Sequence, residues 1–397
     1  MPFLLRNSVK CLRTQTRKYS THKSLCGYVD LSPRRGLIEV TGPDAFRFLH
    51  GLMTNEPPKT YAGTYATFLN VRGRIMWDVF VYFALHNKKW ATTHDLRDED
   101  TTYLIEHDVA VSDQLFKYLT FRKLRDKVNI SKTTDWKVWF TWEDDGPGVR
   151  ATPQFIGADD TRAPGFGVRT VLSTDAANPL WPLRVYEEGR VELFEEYDIA
   201  NYDVRRIMHG VPEGVADLAP GEMLPIESNI DMMGGIDFEK GCYVGQELTT
   251  RAKRVGVATR RVVPYMLYNL EGSEPADIVF APEYALQGEL QYKAPIIQAD
   301  TQPKLNSRGE IAKTVGKVLS RTGNIGLATV KVDIIESEEQ PRLRPIMGTP
   351  ETGLELQDAK LADEKKGIGL KVFRPYWWGQ EKEVRTREAG QQMSVGV

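Results

Sequence analysis

The chain has 397 residues, of which 41% are hydrophobic and 27% are charged, and its net charge is −2 at neutral pH. A chain of this length is too long for one ordinary domain core, so we expect about two or three domains. The charge balance argues against a protein that binds nucleic acid through a large basic surface, and no run of eighteen apolar residues is present that would predict a membrane span.

The first 25 residues differ in composition from the rest of the chain. They contain six lysines and arginines, are rich in Ser and Thr, and no acidic residue precedes Asp30. This composition predicts a mitochondrial transit peptide, and the position of Arg17 predicts cleavage after Tyr19. The alternative is a disordered basic tail. Removal of residues 1–19 would take away five positive charges and change the net charge from −2 to −7.

Downstream of this segment, helix and strand patterns alternate. Phe46, Leu49 and Met53 form one apolar stripe at helical spacing. Residues 76–83 alternate between two faces, which predicts a strand after a hairpin turn at 70–73. The other patterns predict strands at 36–40, 127–131, 136–142 and 167–172, and helices at 44–53, 95–107, 113–121, 197–209 and 245–254.

The last third of the chain has a β pattern, with predicted strands at 262–268, 311–319 and 326–334. Residues 143–163 are rich in Gly, Pro and Asp, which predicts an exposed excursion. Two stretches of low hydrophobicity are predicted to be surface insertions, the second of them partly disordered. These insertions are residues 269–304 and 336–367, and residues 381–397 are predicted to be a loose tail.

The densest group of chemically informative residues lies in the segment 237–247. Gly241 and Gly245 bracket Cys242, so the backbone can turn sharply and a partner can approach closely. The charge of Lys240 favours the thiolate, and the dipole of the helix predicted directly afterwards would lower the thiol pKa further. The pattern predicts a reactive, exposed thiolate. The alternative is a buried cysteine that acts as a small hydrophobic residue.

The cysteine count limits the metal chemistry of the chain. There are three cysteines, Cys11 in the predicted transit peptide, Cys26 close behind it, and Cys242. No CxxC pair exists, so a cysteine-based zinc site is excluded. A resident iron–sulfur cluster with four cysteine ligands from this chain is excluded for the same reason.

The sequence Lys-Gly-Cys-Tyr-Val-Gly-Gln-Glu at 240–247 resembles the signature of the YgfZ-type branch of the T-protein superfamily, whose mitochondrial members assist late assembly of [4Fe–4S] clusters. Supporting sequence blocks occur in the family's order, and together they span about residues 27–335. These blocks are 42–49, 54–55, 68–74, 162–167, 210–214 and 316–328.

The resemblance implies an α+β fold of three domains around a central folate-sized opening: two ferredoxin-like α+β domains and a C-terminal antiparallel β-barrel. The first domain would comprise residues 27–77 and 180–250, and the second, 78–179, would interrupt it. The barrel would comprise residues 251–380, with residues 373–378 as its closing strand.

The resemblance also implies a role in the maturation of [4Fe–4S] proteins in the mitochondrial matrix, together with an A-type iron–sulfur scaffold and apo client proteins. Cys242 would be the cluster-contacting thiolate, a ligand to a transient, shared [2Fe–2S] or [4Fe–4S] cluster, with Lys240 beside it. Sharing agrees with the cysteine count, since one cysteine cannot hold a cluster alone. The chain would then be an assembly factor rather than an enzyme with turnover. The other motif residues are Gly241, Tyr243, Gly245, Gln246 and Glu247.

Members of this family are thought to bind tetrahydrofolate or to retain the site for it. T-protein enzymes carry two adjacent acids in the matching strand, whereas Trp77 occupies the first of these positions here and only Asp78 is acidic. A further glutamate of T-proteins is missing in the run that follows Arg206. These losses weaken the case for aminomethyl transfer and leave Asp78 as either an outward-facing strand residue or a pterin contact. The candidate folate contacts are Asn70, Asp78, Arg206 and Arg251.

A basic cluster follows the cysteine motif and consists of Arg251, Lys253, Arg254, Arg260 and Arg261. It is either a solvated face or a site for an acidic ligand, such as a polyglutamyl folate tail or an acidic partner surface. His50 and His209 are predicted to be packed or surface histidines rather than metal ligands.

Two rival functions stay open at this point. A folate-dependent one-carbon (aminomethyl) transferase would be inherited from the T-protein side, but its acid pair is incomplete. A tRNA-modification factor is suggested by bacterial relatives, although the net charge and the predicted location count against direct RNA binding. We therefore expect no nucleic-acid partner.

Overall fold

The structure is a computed structural model that describes residues 26–60, 63–84, 90, 101–144, 149–152, 155–176, 194–255, 258–284, 290–307, 309–347 and 367–379. The predicted transit peptide, part of the predicted helix at 95–107 and the predicted tail at 381–397 lie outside the described residues. Among the described residues, no helix is both long and apolar enough to cross a membrane.

The described chain consists mainly of strands with short helices between them. The strands are β1 (Cys26–Asp30), β2 (Arg35–Gly42), β3 (Thr64–Leu69), β4 (Ile75–Phe83), β5 (Thr101–Asp108), β6 (Asn129–Thr133), β7 (Trp136–Glu143), β8 (Ile156–Asp159), β9 (Val168–Ser173), β10 (Glu195–Glu196), β11 (Arg260–Asn269), β12 (Pro295–Gln298), β13 (Gly316–Thr322), β14 (Ile325–Lys331), β15 (Leu343–Pro345) and β16 (Ile368–Val372). The helices are α1 (Ala45–His50), α2 (Ser112–Arg122), α3 (Ile199–Met208), α4 (Gly214–Asp217), α5 (Gln246–Val255) and α6 (Val332–Ile335), with one 3₁₀ turn at Val109–Val111.

The first sheet has the strand order β3-β4-β5-β2-β6, and all neighbouring strands are antiparallel. Helices α1 and α2 cover one of its faces, because each carries apolar residues at helical spacing that pack on the alternate residues of the strands. This layer contains Phe48 and Leu49 of α1, Leu115 and Leu119 of α2, and Ile38, Val40, Val79 and Val81 of the sheet.

The second sheet has the order β10-β1-β7-β9-β8, in which only the short pair β1–β10 is parallel. This sheet joins distant parts of the chain, because β1, at the start of the described residues, pairs with β10 at 195–196. Helix α3 follows β10, and its N-terminus is capped by the Asp198 side chain, which accepts from the backbone N–H of Asn201 at 2.9 Å.

Six strands form the closed C-terminal barrel, in the order β11-β14-β13-β12-β15-β16, and β16 pairs with β11 to close it. Every pairing is antiparallel. The α+β class and the C-terminal antiparallel barrel predicted from the sequence are confirmed.

Both predicted surface insertions contribute barrel strands, which corrects the expectation for those residues. β12 lies within 269–304 and β15 within 336–367, and their apolar residues face the barrel interior once the strands are paired. The closing strand is β16 rather than residues 373–378. That segment folds back against the end of α3 instead, where the Trp377 indole donates to the His209 carbonyl at 2.8 Å.

Two other predictions about local structure were wrong. Residues 101–107 were expected to be helical but form β5, which is rich in β-branched residues and is paired on both edges with β2 and β4. Residues 143–163 were expected to be exposed, but they contain β8 and the fully buried pair Asp160 and Arg162. The predicted domain boundary at 77/78 falls inside β4, and the division into domains stays a prediction.

A buried group of charges, here called the central charge cluster, joins the two sheets to the segment before α4. Arg169 of β9 pairs with Glu106 of β5, with Asp160 at 3.0 Å and with Glu213. Burial alone would raise the pKa of Glu213, but its arginine neighbours lower it well below its ordinary value. The cluster consists of Arg35, Glu106, Asp160, Arg162, Arg169 and Glu213, all of them buried.

Candidate functional site

The cysteine motif lies in an irregular loop that is attached to the end of α1. The backbone N–H of Asp237 donates to the Thr54 carbonyl at 3.0 Å, and that of Val244 donates to the Gly51 carbonyl at 3.2 Å. Between these anchors, the Asp237 carboxylate accepts from the backbone N–H groups of Glu239 and Lys240. Residues 237–244 are therefore held at both ends against the same short segment of the first sheet's helical layer.

The side chain of Lys240 stabilises this loop through hydrogen bonds to the backbone of the neighbouring segment. Its Nζ donates to the carbonyl oxygens of His50, Met53 and Asn55 at 2.7, 2.8 and 2.9 Å. These carbonyls lie at and after the C-terminus of α1, where backbone acceptors lack helical partners and a cation is favoured. Burial lowers the pKa of Lys240 to about 8. The ammonium also lies 5.1 Å from the centre of the Tyr243 ring.

The end of the loop is fixed by a close backbone approach at Gly245. This residue has φ +81°, and a Cβ there would collide with the carbonyl oxygen of Asn70. On the other side, a Cβ on Gly73 would lie 2.9 Å from the Gly245 carbonyl oxygen. Only glycine fits such a conformation and such a contact, so the turn at 70–73 and the motif loop pack backbone to backbone.

Cys242 lies at the outside of this braced loop and is exposed. The alternative of a buried cysteine acting as a small hydrophobic residue is therefore wrong. The imidazole of His50 lies beside the preceding residue, because a Cβ on Gly241 would be 3.1 Å from its Cε1. Burial, followed by the charge of Lys240, lowers the pKa of His50, so it is mainly neutral at neutral pH.

Helix α5 begins directly after the loop and carries the remaining motif residues. Gln246 and Glu247 start the helix, while Tyr243 is buried beneath it and burial raises its pKa to about 12. One side of α5 borders a shallow, open surface region that Arg251 and Arg254 help to line. The predicted basic cluster does not stay together, because Arg261 turns away to pair with Asp231 at 2.6 Å.

Asp78 is buried, which contradicts one of its two sequence interpretations, while the pterin contact stays a prediction. It is only 2% exposed, so the expectation of an outward-facing strand residue is wrong. Its Oδ2 accepts from Arg35 at 3.3 Å and its Oδ1 accepts from the backbone N–H of Gly214 at 3.0 Å. Burial raises the pKa of this carboxyl. The neighbouring Trp77 points to the opposite face and packs on Tyr118 of α2.

The other three predicted folate contacts also have protein partners or lie elsewhere. Arg206 is buried between Asp203 and Asp217. The Asn70 side chain accepts from two backbone N–H groups of its own turn. Arg251 is exposed on α5. Three of the four side chains thus have protein hydrogen-bond partners, and their assignment as folate contacts stays a prediction.

Sequence reasoning did not find the central charge cluster or the role of His50. The ion pairs of this cluster join residues far apart in the sequence, since Arg35 lies 71 positions and Arg169 63 positions from their shared partner Glu106. Within the described residues, no group of three or more His, Cys, Asp or Glu side chains is arranged to hold a metal ion. Among the described residues the site thus offers one exposed cysteine side chain but no complete metal centre.

A family model described as the CAF17 C-terminal beta-barrel domain matches residues 259–380, which contain the barrel. The chain is 33% identical over 387 residues to the mitochondrial iron–sulfur cluster assembly factor IBA57 homolog of Chaetomium globosum, covering 88% of this chain and 83% of that protein. The chain belongs to the IBA57 family. The homolog of Neurospora crassa is 32% identical over 426 residues, covering 98% of this chain and 91% of that protein.

Membership in the IBA57 family confirms the predicted mitochondrial location and the predicted link to iron–sulfur cluster assembly. The glycine cleavage system aminomethyltransferase T of Bartonella henselae has a similar structure, with a TM-score of 0.53 and 16% sequence identity over 88% of this chain and 85% of that one. At this identity the likeness shows the fold, and it confirms the T-protein-like architecture.

Proposed function

We propose that this IBA57 family member acts in the mitochondrial matrix in the maturation of [4Fe–4S] proteins, together with an A-type iron–sulfur scaffold and apo client proteins. In this proposal the Cys242 thiolate contacts a [2Fe–2S] or [4Fe–4S] cluster that the scaffold carries. The observation that supports it most directly is an exposed cysteine on a loop braced by Lys240. The cluster is cargo here and not a resident cofactor.

The ligand count favours a shared cluster over a resident one. Iron–sulfur clusters are held by about four protein ligands, mostly cysteine thiolates. The described residues bring no second cysteine to Cys242, since Cys26 is buried in β1 of the other sheet. One thiolate can complete or stabilise a cluster only when the other ligands come from a partner.

The bracing of the loop supports this role in energetic terms. A loop that changed conformation on binding would lose part of the binding free energy to ordering its backbone. The anchors at Asp237 and Val244 and the three hydrogen bonds of Lys240 hold the loop before a partner arrives. Cys242 is thus presented at a defined place on the surface, as a pre-organised ligand requires.

The test compares wild type, Cys242→Ser and the control Cys26→Ser. Each full-length protein is mixed anaerobically with a [2Fe–2S]-loaded A-type scaffold, and visible absorption and circular dichroism are recorded across the gel-filtration peak. We expect a co-eluting complex with an altered cluster spectrum for wild type and Cys26→Ser, and loss of the spectral change for Cys242→Ser. An unchanged spectrum in the Cys242→Ser complex would reject the cluster contact, even if the two proteins still co-elute.

Folate binding is a separate and weaker part of the proposal. The T-protein-like fold supports it, whereas the placement of Asp78 and Arg206 among protein partners does not. The similarity of the fold to aminomethyltransferase T also supports a second candidate function, that of a folate-dependent aminomethyl transferase. Release of a one-carbon unit from tetrahydrofolate by the purified protein would favour this candidate, and we assign folate no step in the cluster chemistry.

A further inference from the structure

Two exposed apolar side chains lie close to the cysteine loop. Val71, at the tip of the turn 70–73, is 79% exposed, and Leu248, in the first turn of α5, is 41% exposed. The turn and the helix touch, because a Cβ on Gly73 would lie 3.0 Å from the Cβ of Leu248. The same turn packs on Gly245, three residues after Cys242. Val71, Leu248 and the thiol therefore belong to adjoining parts of one surface.

The exposure of Val71 is built into the structure of its turn. The Asn70 side chain accepts from the backbone N–H groups of Arg72 at 2.9 Å and Arg74 at 3.1 Å, and the Gly73 N–H donates to the Asn70 carbonyl at 2.9 Å. Such a network fixes a tight turn and its tip. An apolar side chain exposed at this position contributes little burial to folding and is available to a partner protein.

Three arginines follow this apolar pair in the chain: Arg72 comes directly after Val71, and Arg251 and Arg254 come after Leu248 in α5. Arg72, Arg251 and Arg254 are exposed, and none of them forms an ion pair within the part of the chain that the structure describes. Exposed acids are present at Glu239 and Glu247, so cations are in excess in a chain whose net charge is −2. An iron–sulfur cluster ligated by thiolates carries net negative charge. The surface is therefore electrostatically suited to a protein that presents such a cluster.

We propose that Val71, Leu248, Arg72, Arg251 and Arg254, here called the docking surface, bind the protein that carries the cluster to Cys242. The partner's complementary face would have an apolar centre bordered by carboxylates, with its cluster at the edge that meets the thiol. This inference rests on the proposed function, since it names where that function's partner binds. The apolar pair would form the desolvated centre of the interface, and the arginines would form its charged rim.

This arrangement separates two effects on binding. Loss of an apolar contact at the centre of an interface mainly speeds dissociation, while rim charges mainly affect association and its salt dependence. We expect Val71→Asp to weaken the complex about tenfold or more at all salt concentrations, because it places an anion at the centre. The double variant Arg251→Glu/Arg254→Glu should weaken the complex about tenfold at low ionic strength, with the difference shrinking as salt is added.

The experiment measures the dissociation constant of the full chain with an A-type scaffold, both apo and [2Fe–2S]-loaded, by anaerobic calorimetry at two ionic strengths. Val279→Asp is the control for adding an aspartate at an exposed valine elsewhere on the surface, because Val279 is 41% exposed and lies beside β11 of the barrel. Val71→Ser is a second variant that adds no charge, and it should weaken binding about threefold. Circular dichroism and thermal melts verify that each variant is folded, and gel filtration of the chain alone detects self-association.

Each outcome separates the docking surface from the proposed function. If the Val71 and arginine variants bind as wild type does, the docking surface is rejected, even when Cys242→Ser still loses the cluster spectrum. If they bind weakly while Cys242→Ser keeps the wild-type spectrum, the surface stands and the cluster contact falls. If wild type binds no scaffold, or if the Val71 variants abolish only self-association, the proposed occupant is wrong.

Discussion

The ammonium of Lys240 donates to three carbonyl oxygens at the end of α1, which occupies all three of its hydrogens. From the sequence, the charge of this residue was expected to act on the neighbouring thiol. The structure shows that it donates to backbone acceptors at and after the end of the short helix, while its effect on the thiol stays a prediction. Although burial lowers the pKa of Lys240 to about 8, the side chain is mostly protonated at neutral pH. Lys240 thus connects the motif loop to the first sheet's helical layer.

Replacement of Lys240 by Met should lower the free energy of unfolding by about 2 kcal/mol, because partly buried carbonyls lose charge-assisted hydrogen bonds. The measurement is urea denaturation followed by circular dichroism. Lys253→Met is the control, since Lys253 is exposed and its ammonium only lies over the Phe238 ring, 3.7 Å from its centre. Equal stability of the two variants would show that the three carbonyl contacts contribute little.

Asp78 shows what residue patterns alone leave open. Alternation in β4 correctly predicts that Trp77 and Asp78 point to opposite faces, because successive side chains of a strand do so. The alternation does not indicate that other parts of the chain cover both faces of the sheet at β4. Trp77 packs beneath α2, while Asp78 meets Arg35 and the start of α4. Its partners lie 43 and 136 positions away in sequence, beyond the reach of any local pattern.

At the scale of elements, the cysteine site is a junction between a hairpin turn and the start of a helix. The turn 70–73 and the loop before α5 meet at Gly73 and Gly245. The two backbones approach so closely there that a Cβ on either glycine would collide with a carbonyl oxygen of the other segment. Sequence reasoning recognised both the turn and the glycines around Cys242. It assigned the glycines to flexibility of the cysteine loop, whereas Gly245 is needed for a fixed contact with a distant turn.

Replacement of Gly245 by Ala should therefore displace the loop and lower the free energy of unfolding by about 3 kcal/mol, since strain at a positive φ adds to a collision with the Asn70 carbonyl. Gly165→Ala is a matched control, because Gly165 has a similar φ of +68° but no atom within 4 Å of an added Cβ. We expect Gly165→Ala to cost only about 1 kcal/mol. Denaturant unfolding measures both, and a similar loss in the two variants would contradict the close contact.

For the whole molecule, the central charge cluster holds the α+β region together. It connects the first sheet through Arg35 and Glu106, the second sheet through Arg169, and the segment before α4 through Glu213. Each arginine is buried beside more than one carboxylate, so each charge has partners on separate parts of the chain. Buried charges without partners are costly, which makes the relative placement of these parts depend on a complete cluster.

Replacement of Arg169 by Met should lower the free energy of unfolding by about 3–5 kcal/mol, because Glu106, Asp160 and Glu213 would lose a shared buried counterion. The surface pair Arg150–Asp159 provides the control, since the Arg150 side chain is 64% exposed and Arg150→Met should change stability by about 0.5 kcal/mol or less. Thermal and urea unfolding report the difference. A loss below about 1 kcal/mol in Arg169→Met would show that the cluster is not required for stability.

The sequence by itself determined the family, the α+β class with a C-terminal barrel, most strands and helices, and the identity of the motif cysteine. These properties depend on local periodicity and on a contiguous motif, which are visible along the chain. Only the tertiary structure decided that Cys242 is exposed, that Lys240 binds carbonyls, and that two polar stretches supply barrel strands. It also decided that Asp78 and Arg206 pair with protein groups. Each of these facts arises from contacts between distant segments, and such contacts depend on how the sheets, helices and barrel pack rather than on any local pattern.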